Sequence, residues 1–473
     1  MPATTHALTD GQAYSVVTSQ QLSIRFNAAV GPIRIEGSLG SSRFDKIHDR
    51  ITSDRPAEDE AGRLYFNQGR IITLDVRSFD EIRFVGAAVN IDVSPFDPAR
   101  PLNRIATIGG LGDSQLASGI TTTAGDSQQD LSTGRLGVMN QHNVCFWASG
   151  YSRARLAYAG IAGEAGLTSA QVLATWLPVA RARRWTYCPI SVGTNDIGAA
   201  VAAATTITNV RRMVEGLLEV GTIPIICGVL PNRLTTGAAY DALNEGYRRL
   251  AVEYRVPFED AWGPYVGTDG LGQSALFRDN THLTHAANQA RGERIANLIL
   301  GAYPGVPASL LPFANGAGKA GLMANPIYNA NSGAVTPTGW AISGAGATSN
   351  VASGAVGNDW ALTRAAANAI GNTSAAPAAA GNTYLWVGGV RTSGGAFNAS
   401  SYFGWRDPGS VPASHAWQMQ INGVDIPANL EFAVLFRVPT GFPANRFQHQ
   451  NAGSSSSVIE LRRNDLYLLE PWL

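Results

Sequence analysis

At 473 residues and 49.8 kDa the chain exceeds what one hydrophobic core usually organises, which predicts two or three domains. A composition of 45% hydrophobic and 15% charged residues excludes a disordered chain. The formal net charge of zero gives no electrostatic basis for binding nucleic acid or an anionic membrane.

The N-terminal run MPATTHALTDGQAYSVV has neither a basic start nor a signal-length apolar core. No stretch approaches the roughly 20 apolar residues of a membrane span. The expectation is a soluble protein without a cleaved leader, working inside the cell or released by another route, as a virion-borne or extracellular protein would be. Residues 1 to about 100 alternate apolar and polar residues in Gln21–Phe26, Ile33–Gly37, Ile71–Val76 and Ile82–Val85, the pattern of half-buried strands. Asp54–Arg63 reads as an exposed loop and Ser94–Pro101 as a proline-punctuated linker.

From Leu102 to about Tyr303 the texture changes to strands alternating with helices. Apolar runs at Ile105–Ile108, Arg155–Tyr158, Cys188–Val192 and Ile223–Val229 alternate with helical patterns at Thr168–Ala182, Ile207–Val220 and Tyr240–Tyr254. Parallel strands need helical crossovers, so this order predicts an α/β domain with a parallel sheet covered on both faces. Its active site belongs beyond the carboxyl ends of the strands. From Gly305 to Leu473 the chain turns rich in Gly, Ala, Ser and Asn, with short strands at Tyr384–Val390, Trp417–Ile421, Leu430–Phe436 and Val458–Arg462. That pattern reads as an antiparallel β-sandwich. Trp340, Trp360, Trp386, Trp405, Trp417 and Trp472 fall here, as core residues or as platforms for sugar rings. The expected division is therefore 1–100 (β-rich accessory), 101–304 (α/β) and 305–473 (β-sandwich, for carbohydrate binding or assembly).

The cysteines, Cys145, Cys188 and Cys227, are sparse and lack CxxC spacing, so neither a disulfide framework nor a cysteine zinc site is expected. Cys188 and Cys227 lie in apolar runs and read as small buried hydrophobes.

The chemistry gathers at strand ends. After the run IATIGG comes Leu111-Gly112-Asp113-Ser114, a tight turn with a serine opening a helix, suited to a nucleophile and equally to a helix cap. A serine needs a base, and Asp279-Asn280-Thr281-His282 supplies an imidazole with a carboxylate three residues before it. Gly193-Thr194-Asn195-Asp196 ends another apolar run and offers a side-chain amide as donor to a developing oxyanion. Gly163 and Gly166 each offer a backbone N–H that a substrate could approach, with Gly166 preferred because Thr-Ser follows it. The spacing Asp279-x-x-His282-x-x-His285 can be drawn as part of a metal site, but further ligands do not stand out, so no metal and no cofactor is expected. No GxSxG, Walker loop or HExxH occurs.

The blocks GDSxxxxG, GLTS, GTND and DNTHL, in that order, resemble those of SGNH (GDSL) hydrolases over roughly residues 102 to 303. The resemblance implies a three-layer flavodoxin-like domain with Ser114 as nucleophile and Asp279 and His282 as its acid–base pair. It places the oxyanion donors at Ser114, Gly166 and Asn195. The family acts on lipid esters, aryl esters, thioesters and O-acetylated sugars. Thr121–Gln141 reads as an insertion or irregular loop beside the site. The flanking β-regions favour an ester substrate that is an acetylated polysaccharide. A short-chain lipid or aryl esterase is the alternative, and a catalytically inert glycan-binding or structural protein is the alternative of another class. The oligomeric state stays open, a homo-oligomer included.

Overall fold

The computed structural model describes residues 143–235 and 237–302 without a break. Outside them it describes 4–15, 21–28, 30–38, 44–51, 59, 61, 63–66, 71–76, 79, 81–95, 106–117, 120–121, 138–139 and the strands with adjoining turns between 340 and 469. The chain separates into two compact units: Met1–Ile105 with two short stretches, 215–223 and 301–307, and the remainder.

In the first unit, alternation sets the architecture. Glu81–Val85 buries Ile82 and Phe84 and leaves its other residues half-buried. Strands Thr4–Leu8, Val89–Pro95, Gln21–Phe26 and Ile71–Asp75 form one antiparallel sheet. Ala13–Ser15, Glu81–Val85, Val30–Ser38 and Phe44–Lys46 form another, with Leu64–Phe66 beside Val30–Ser38. Their inward residues share one core that includes Leu22, Ile24, Phe26, Ile35, Phe84 and Ile91. Only part of Asp54–Arg63 is described; there Asp59 Oδ1 accepts from the N–H groups of Ala61 and Arg63. Residues 96–101 of the expected linker lie outside the described residues.

The second unit is a mixed α/β structure around a mostly parallel sheet. Its first strands lie in the order Phe258–Glu259, Ile223–Cys227, Tyr187–Ser191, Ala106–Gly112, Leu156–Gly163. Numbered along the chain, that order is 2-1-3-4-5 read from the Leu156–Gly163 side, the flavodoxin-like arrangement. Leu156–Gly163, Tyr187–Ser191 and Ile223–Cys227 are buried at every position, as strands covered on both faces must be. Helices Ala203–Leu218 and Ala238–Tyr254 follow the expected periodic segments, each beginning two to four residues earlier.

The expected single helix over Thr168–Ala182 is instead two, Ser169–Thr175 and Leu177–Arg183. Pro178 has no N–H for the carbonyl of Ala174, and its ring clashes with that carbonyl, so the helix restarts at Trp176. Val144–Tyr151 is a further helix, described as buried at seven of its eight residues. It is apolar all round, so it shows no helical stripe in the sequence.

The strands after residue 340 continue the central sheet. Glu431–Arg437 pairs in parallel with Leu156–Gly163, aligning Ala157 with Ala433 and Tyr158 with Val434. Thr383–Ser393, Val458–Leu469, Asn358–Arg364 and Ala347–Ser353 extend it antiparallel to a ten-stranded whole. The sequence texture that changes at Gly305 therefore does not end the sheet. A separate seven-stranded sheet faces its aromatic residues: Trp386 meets Phe403 at 5.9 Å and Trp405 at 6.1 Å, and Trp405 stacks on Phe436 at 5.5 Å. Trp386 and Trp405 are fully buried and are core residues. The side chains of Trp340, Trp360, Trp417 and Trp472 lie outside those described. Of the Thr121–Gln141 segment, Thr121, Val138 and Met139 are described. Ile120–Thr121 pairs with Val138–Met139, which pairs in turn with His415–Gln420.

One hydroxyl pins the junction between Leu156–Gly163 and Glu431–Arg437. Ser149 Oγ lies 2.7 Å from the Leu156 carbonyl and 2.9 Å from the Ala433 carbonyl, and accepts from Ala433 N–H at 3.2 Å. Ser149→Ala strands these buried backbone groups and should cost about 1–3 kcal/mol. Urea unfolding monitored by tryptophan fluorescence would measure it, and an unchanged midpoint would show that the junction does not depend on this residue.

Candidate active site

The strand order reverses at Ala106–Gly112, whose neighbours are Leu156–Gly163 on one side and Tyr187–Ser191 on the other. A crevice opens where the connections of adjacent strands leave in opposite directions. Ser114 follows the first of these strands and Asn195 the third, so both stand at this crevice.

Ser114 begins the helical turn Ser114–Ala117, and the turn is held from below. Asp113 N–H donates to the Ser191 carbonyl at 3.1 Å, and Gln115 N–H donates to Asp113 Oδ1 at 2.9 Å. The Ser114 hydroxyl lies 2.8 Å from His282 Nε2. His282 Nδ1 in turn lies 2.8 Å from Asp279 Oδ2 and 3.1 Å from Asp279 Oδ1. Asp279 closes its own turn by accepting from the N–H groups of Thr281 at 2.8 Å and His282 at 2.7 Å. Partial burial raises the Asp279 carboxyl, but these two N–H groups and the imidazole outweigh it and hold the group down at about 2. The structure thus brings Ser114, His282 and Asp279 into one line of hydrogen bonds although 168 residues separate Ser114 from His282.

Asn195 is placed by Gly193, whose φ of +120° turns the chain out of its strand. A Cβ at Gly193 would lie 2.8 Å from Val229 Cγ2 and 3.0 Å from the Tyr247 hydroxyl, so no other residue fits. The Asn195 amide donates to the Leu167 carbonyl at 2.9 Å and faces Asp113 Oδ2 at 3.3 Å. The two candidate glycines differ. Gly163 lies in the sheet opposite Gly112, and a Cβ there would meet the Gly112 carbonyl at 2.1 Å. Gly166 has φ +81° and open space at its Cβ position, and it lines a cleft with Asn195. The N–H groups of Ser114 and Gly166 have no backbone or side-chain acceptor among the described residues.

Several site residues escaped the sequence reading. Gln115 Nε2 donates to the Thr281 carbonyl at 2.9 Å and ties the serine turn to the histidine loop. Thr281 Oγ1 sits 3.2 Å from His282 Nδ1. Asp196, fully buried, accepts from Ser169 N–H at 2.8 Å, Ser169 Oγ at 2.5 Å and Thr206 Oγ1 at 3.1 Å. Beneath the turn, buried Arg291 pairs with Glu259 at 2.9 Å and reaches Ser191 Oγ at 3.4 Å. A signal for this last pair existed: Arg291 interrupts the apolar row Ala287, Ile295 and Ile299 on one face of helix His285–Ala302. The cysteines are buried, and burial pushes the Cys145 thiol up to about 12 and the Cys188 and Cys227 thiols up as well. His285 opens the helix after the site, and burial lowers its pKa. Among the described residues no three His, Cys, Asp or Glu side chains converge as metal ligands would. Among the described residues no helix is long and apolar enough to cross a membrane.

A hydroxyl, an imidazole and a carboxylate thus stand in line at the carboxyl edge of a flavodoxin-like sheet. Residues 111–290 match the model of the GDSL-like Lipase/Acylhydrolase family. No curated protein matches the sequence. Among solved structures, the chain is similar to a lipolytic protein of the G-D-S-L family from Desulfitobacterium hafniense, at 16% identity over 41% of this chain and 99% of that one, with a TM-score of 0.32. A lipase/acylhydrolase from Enterococcus faecalis matches at 15% identity over 42% and 96%, with a TM-score of 0.31. An acetyl-xylooligosaccharide esterase from Geobacillus stearmophilus matches at 17% identity over 42% and 94%, with a TM-score of 0.33.

Asp113 gives this site a pH signature. Full burial pushes its carboxyl up to about 7, opposed by the Gln115 N–H, reinforced by Asp196 and opposed again by Arg291. Between about pH 4 and pH 7 the folded chain holds a proton that the unfolded chain has released, so this group lowers stability as pH rises through that window. Asp113→Asn should remove that slope. The thermal midpoint of the wild type should fall relative to the variant from about pH 4 to about pH 7, and parallel profiles would refute the assignment.

Proposed function

We propose that the protein hydrolyses carboxylic esters by two-step acyl transfer through Ser114, His282 and Asp279. The observation that carries this reading is the line of contacts, 2.8 Å from Ser114 Oγ to His282 Nε2 and 2.8 Å from His282 Nδ1 to Asp279 Oδ2. Ser114 Oγ attacks the ester carbonyl while His282 Nε2 takes its proton. The tetrahedral intermediate collapses, the C–O bond to the alcohol breaks, and His282 returns the proton to the departing oxygen. Water then attacks the acyl-serine, losing its proton to His282, and the acid leaves as Ser114 is restored. Asp279, held ionised by its N–H donors, fixes the ring and stabilises the imidazolium.

The oxyanion forms next to three donors, the N–H groups of Ser114 and Gly166 and the Asn195 amide. Two of these have no other acceptor among the described residues. Asn195 reaches the oxyanion by exchanging its bond to the Leu167 carbonyl for one to the substrate. Loss of such a donor typically costs about 3–4 kcal/mol of transition-state stabilisation.

The acyl group is acetyl and the alcohol is a carbohydrate. What supports this is the amount of β-structure besides the α/β part: strands of residues 4–95 form antiparallel sheets of their own, and after residue 340 the chain adds antiparallel strands to the central sheet and most of a seven-stranded one, β-rich regions of the kind that attach an esterase to a glycan or a larger assembly. Such regions suit a virion-associated or extracellular protein.

Ser114→Ala should abolish release of p-nitrophenol from p-nitrophenyl acetate, and Asp279→Asn should lower kcat by about 10³–10⁴. A serine-directed organophosphonate should label the wild type at Ser114 and leave Ser114→Ala unmodified. Full turnover by Ser114→Ala would overturn the mechanism. A preference for decanoyl over acetyl esters would overturn the choice of acyl group.

A further inference from the structure

A cleft of about 780 Å³ adjoins the proposed oxyanion donors, lined by Gly166, Asn195 and Thr281, the residue before His282, among others. Its walls come from the helical turn Thr194–Gly198 and from the loop that leads into helix Ala238–Tyr254. The side chains that supply hydrogen-bonding groups are those of four threonines (Thr168, Thr194, Thr235 and Thr281), Asn195, Asn232 and Tyr240. Apart from Ile197 and Tyr240, the other lining residues are glycine or alanine. Among the described residues no lysine, arginine, aspartate or glutamate lines the cleft.

This lining favours neither of two kinds of occupant. A long acyl chain needs a continuous apolar wall, because each buried methylene gains about 0.8 kcal/mol only when water is removed from it. Ile197 is the one large aliphatic side chain in the lining, so a fatty acyl group gains little. An ionised sugar such as a uronate finds no charged side-chain partner among the described lining residues, only the backbone N–H groups at the start of helix Ala238–Tyr254. An uncharged polyhydroxylated alcohol fits, since hydroxyl and amide groups both donate and accept without a charge to desolvate.

Two residues are already ordered for that role. Asn232 Oδ1 accepts from Leu234 N–H at 2.7 Å and from Thr235 N–H at 3.2 Å. This closes a turn that fixes the amide and leaves Nδ2 as its remaining donor group. The carbonyl of Asn232 accepts from Gly272 N–H at 2.9 Å, which anchors the same residue from its backbone side. Thr235, next in this turn, adds a hydroxyl that both donates and accepts. A ligand hydroxyl here meets a donor whose ordering cost has been met by the fold.

We infer that this cleft binds the alcohol part of the ester as an uncharged oligosaccharide, with Asn232 and Thr235 setting the preference for neutral over anionic acetylated glycans. The inference rests on the esterase reading above and adds to it the charge class of the substrate and the residues that select it. The ester oxygen lies towards Ser114 and the acetyl group needs no long pocket, so the volume of the cleft serves the sugar.

The experiment measures acetate release by the full chain from four substrates: acetylated xylo-oligosaccharide, acetylated oligogalacturonate, p-nitrophenyl acetate and p-nitrophenyl octanoate. The expected result is a kcat/KM on the neutral oligosaccharide at least about tenfold above that on the anionic one, the worth of one desolvated charge or lost hydrogen bond. In Asn232→Ala and Thr235→Val, kcat/KM on the neutral oligosaccharide should fall by about tenfold relative both to the anionic oligosaccharide and to p-nitrophenyl acetate. Equal rates on the two oligosaccharides, a preference for octanoate, or an unchanged ratio in both variants would overturn the inference and leave the esterase reading standing. No turnover on any ester, with no organophosphonate labelling of Ser114, would overturn the esterase reading itself, and this inference with it.

Discussion

Strand Ala106–Gly112 lies between a strand that follows it in the chain and one that comes later still, and this reversal organises the site. Connections leave its two sides in opposite directions, which opens the crevice at its carboxyl end. The serine turn grows from that end, while Asn195 comes from the end of Tyr187–Ser191 and Gly166 from just beyond Leu156–Gly163. The backbone of Ser191 joins two of these elements, because its carbonyl accepts the Asp113 N–H. Three groups of the proposed site are thus fixed by neighbouring parallel strands. A loop alone would have to order itself for each turnover.

Beneath the crevice the protein buries polar groups rather than avoiding them. Asp113, Asp196, Glu259 and Arg291 are all buried, and each is held by hydrogen bonds or an ion pair. A buried pair contributes little net stability, since desolvation offsets most of the attraction. What it gives is position. Asp196 anchors the turn that carries Asn195 to the helix opening at Ser169, and Arg291 links helix His285–Ala302 to the strand end below Ser114. Removing one partner would leave an uncompensated charge, so these groups lock the site's geometry while adding little to its strength.

The strands and the chemistry were legible in different ways. The strands appeared as apolar runs because both faces of a parallel sheet are buried, and Tyr187–Ser191 and Ile223–Cys227 fall on those runs. Ser114, Asn195, Asp279 and His282 were legible because the turn residues around them leave short, ordered signatures. The helix break at Pro178 was readable in principle from proline's missing N–H. Helix Val144–Tyr151 was not, because a helix buried on all sides has no polar face to mark its period. Nor could local pattern show that Glu431–Arg437 pairs with Leu156–Gly163. Strand pairing depends on which edges meet in space, and the paired residues Ala157 and Ala433 are 276 positions apart in the chain.

By itself, the sequence determined the strand or helix class of most segments and singled out the candidate groups Ser114, Asn195, Asp279 and His282. Both depend on local rules: hydrophobic period, turn residues and the reactivity of particular side chains. Tertiary structure decided what depends on distance. It set the 2.8 Å contact between Ser114 and His282, favoured Gly166 over Gly163 as the glycine facing the cleft, and joined the C-terminal strands to the central sheet. It also left the cleft beside the oxyanion donors without a charged residue among those described. These outcomes follow from packing between segments far apart in the chain, where the free energy of burial, not the local code, chooses neighbours.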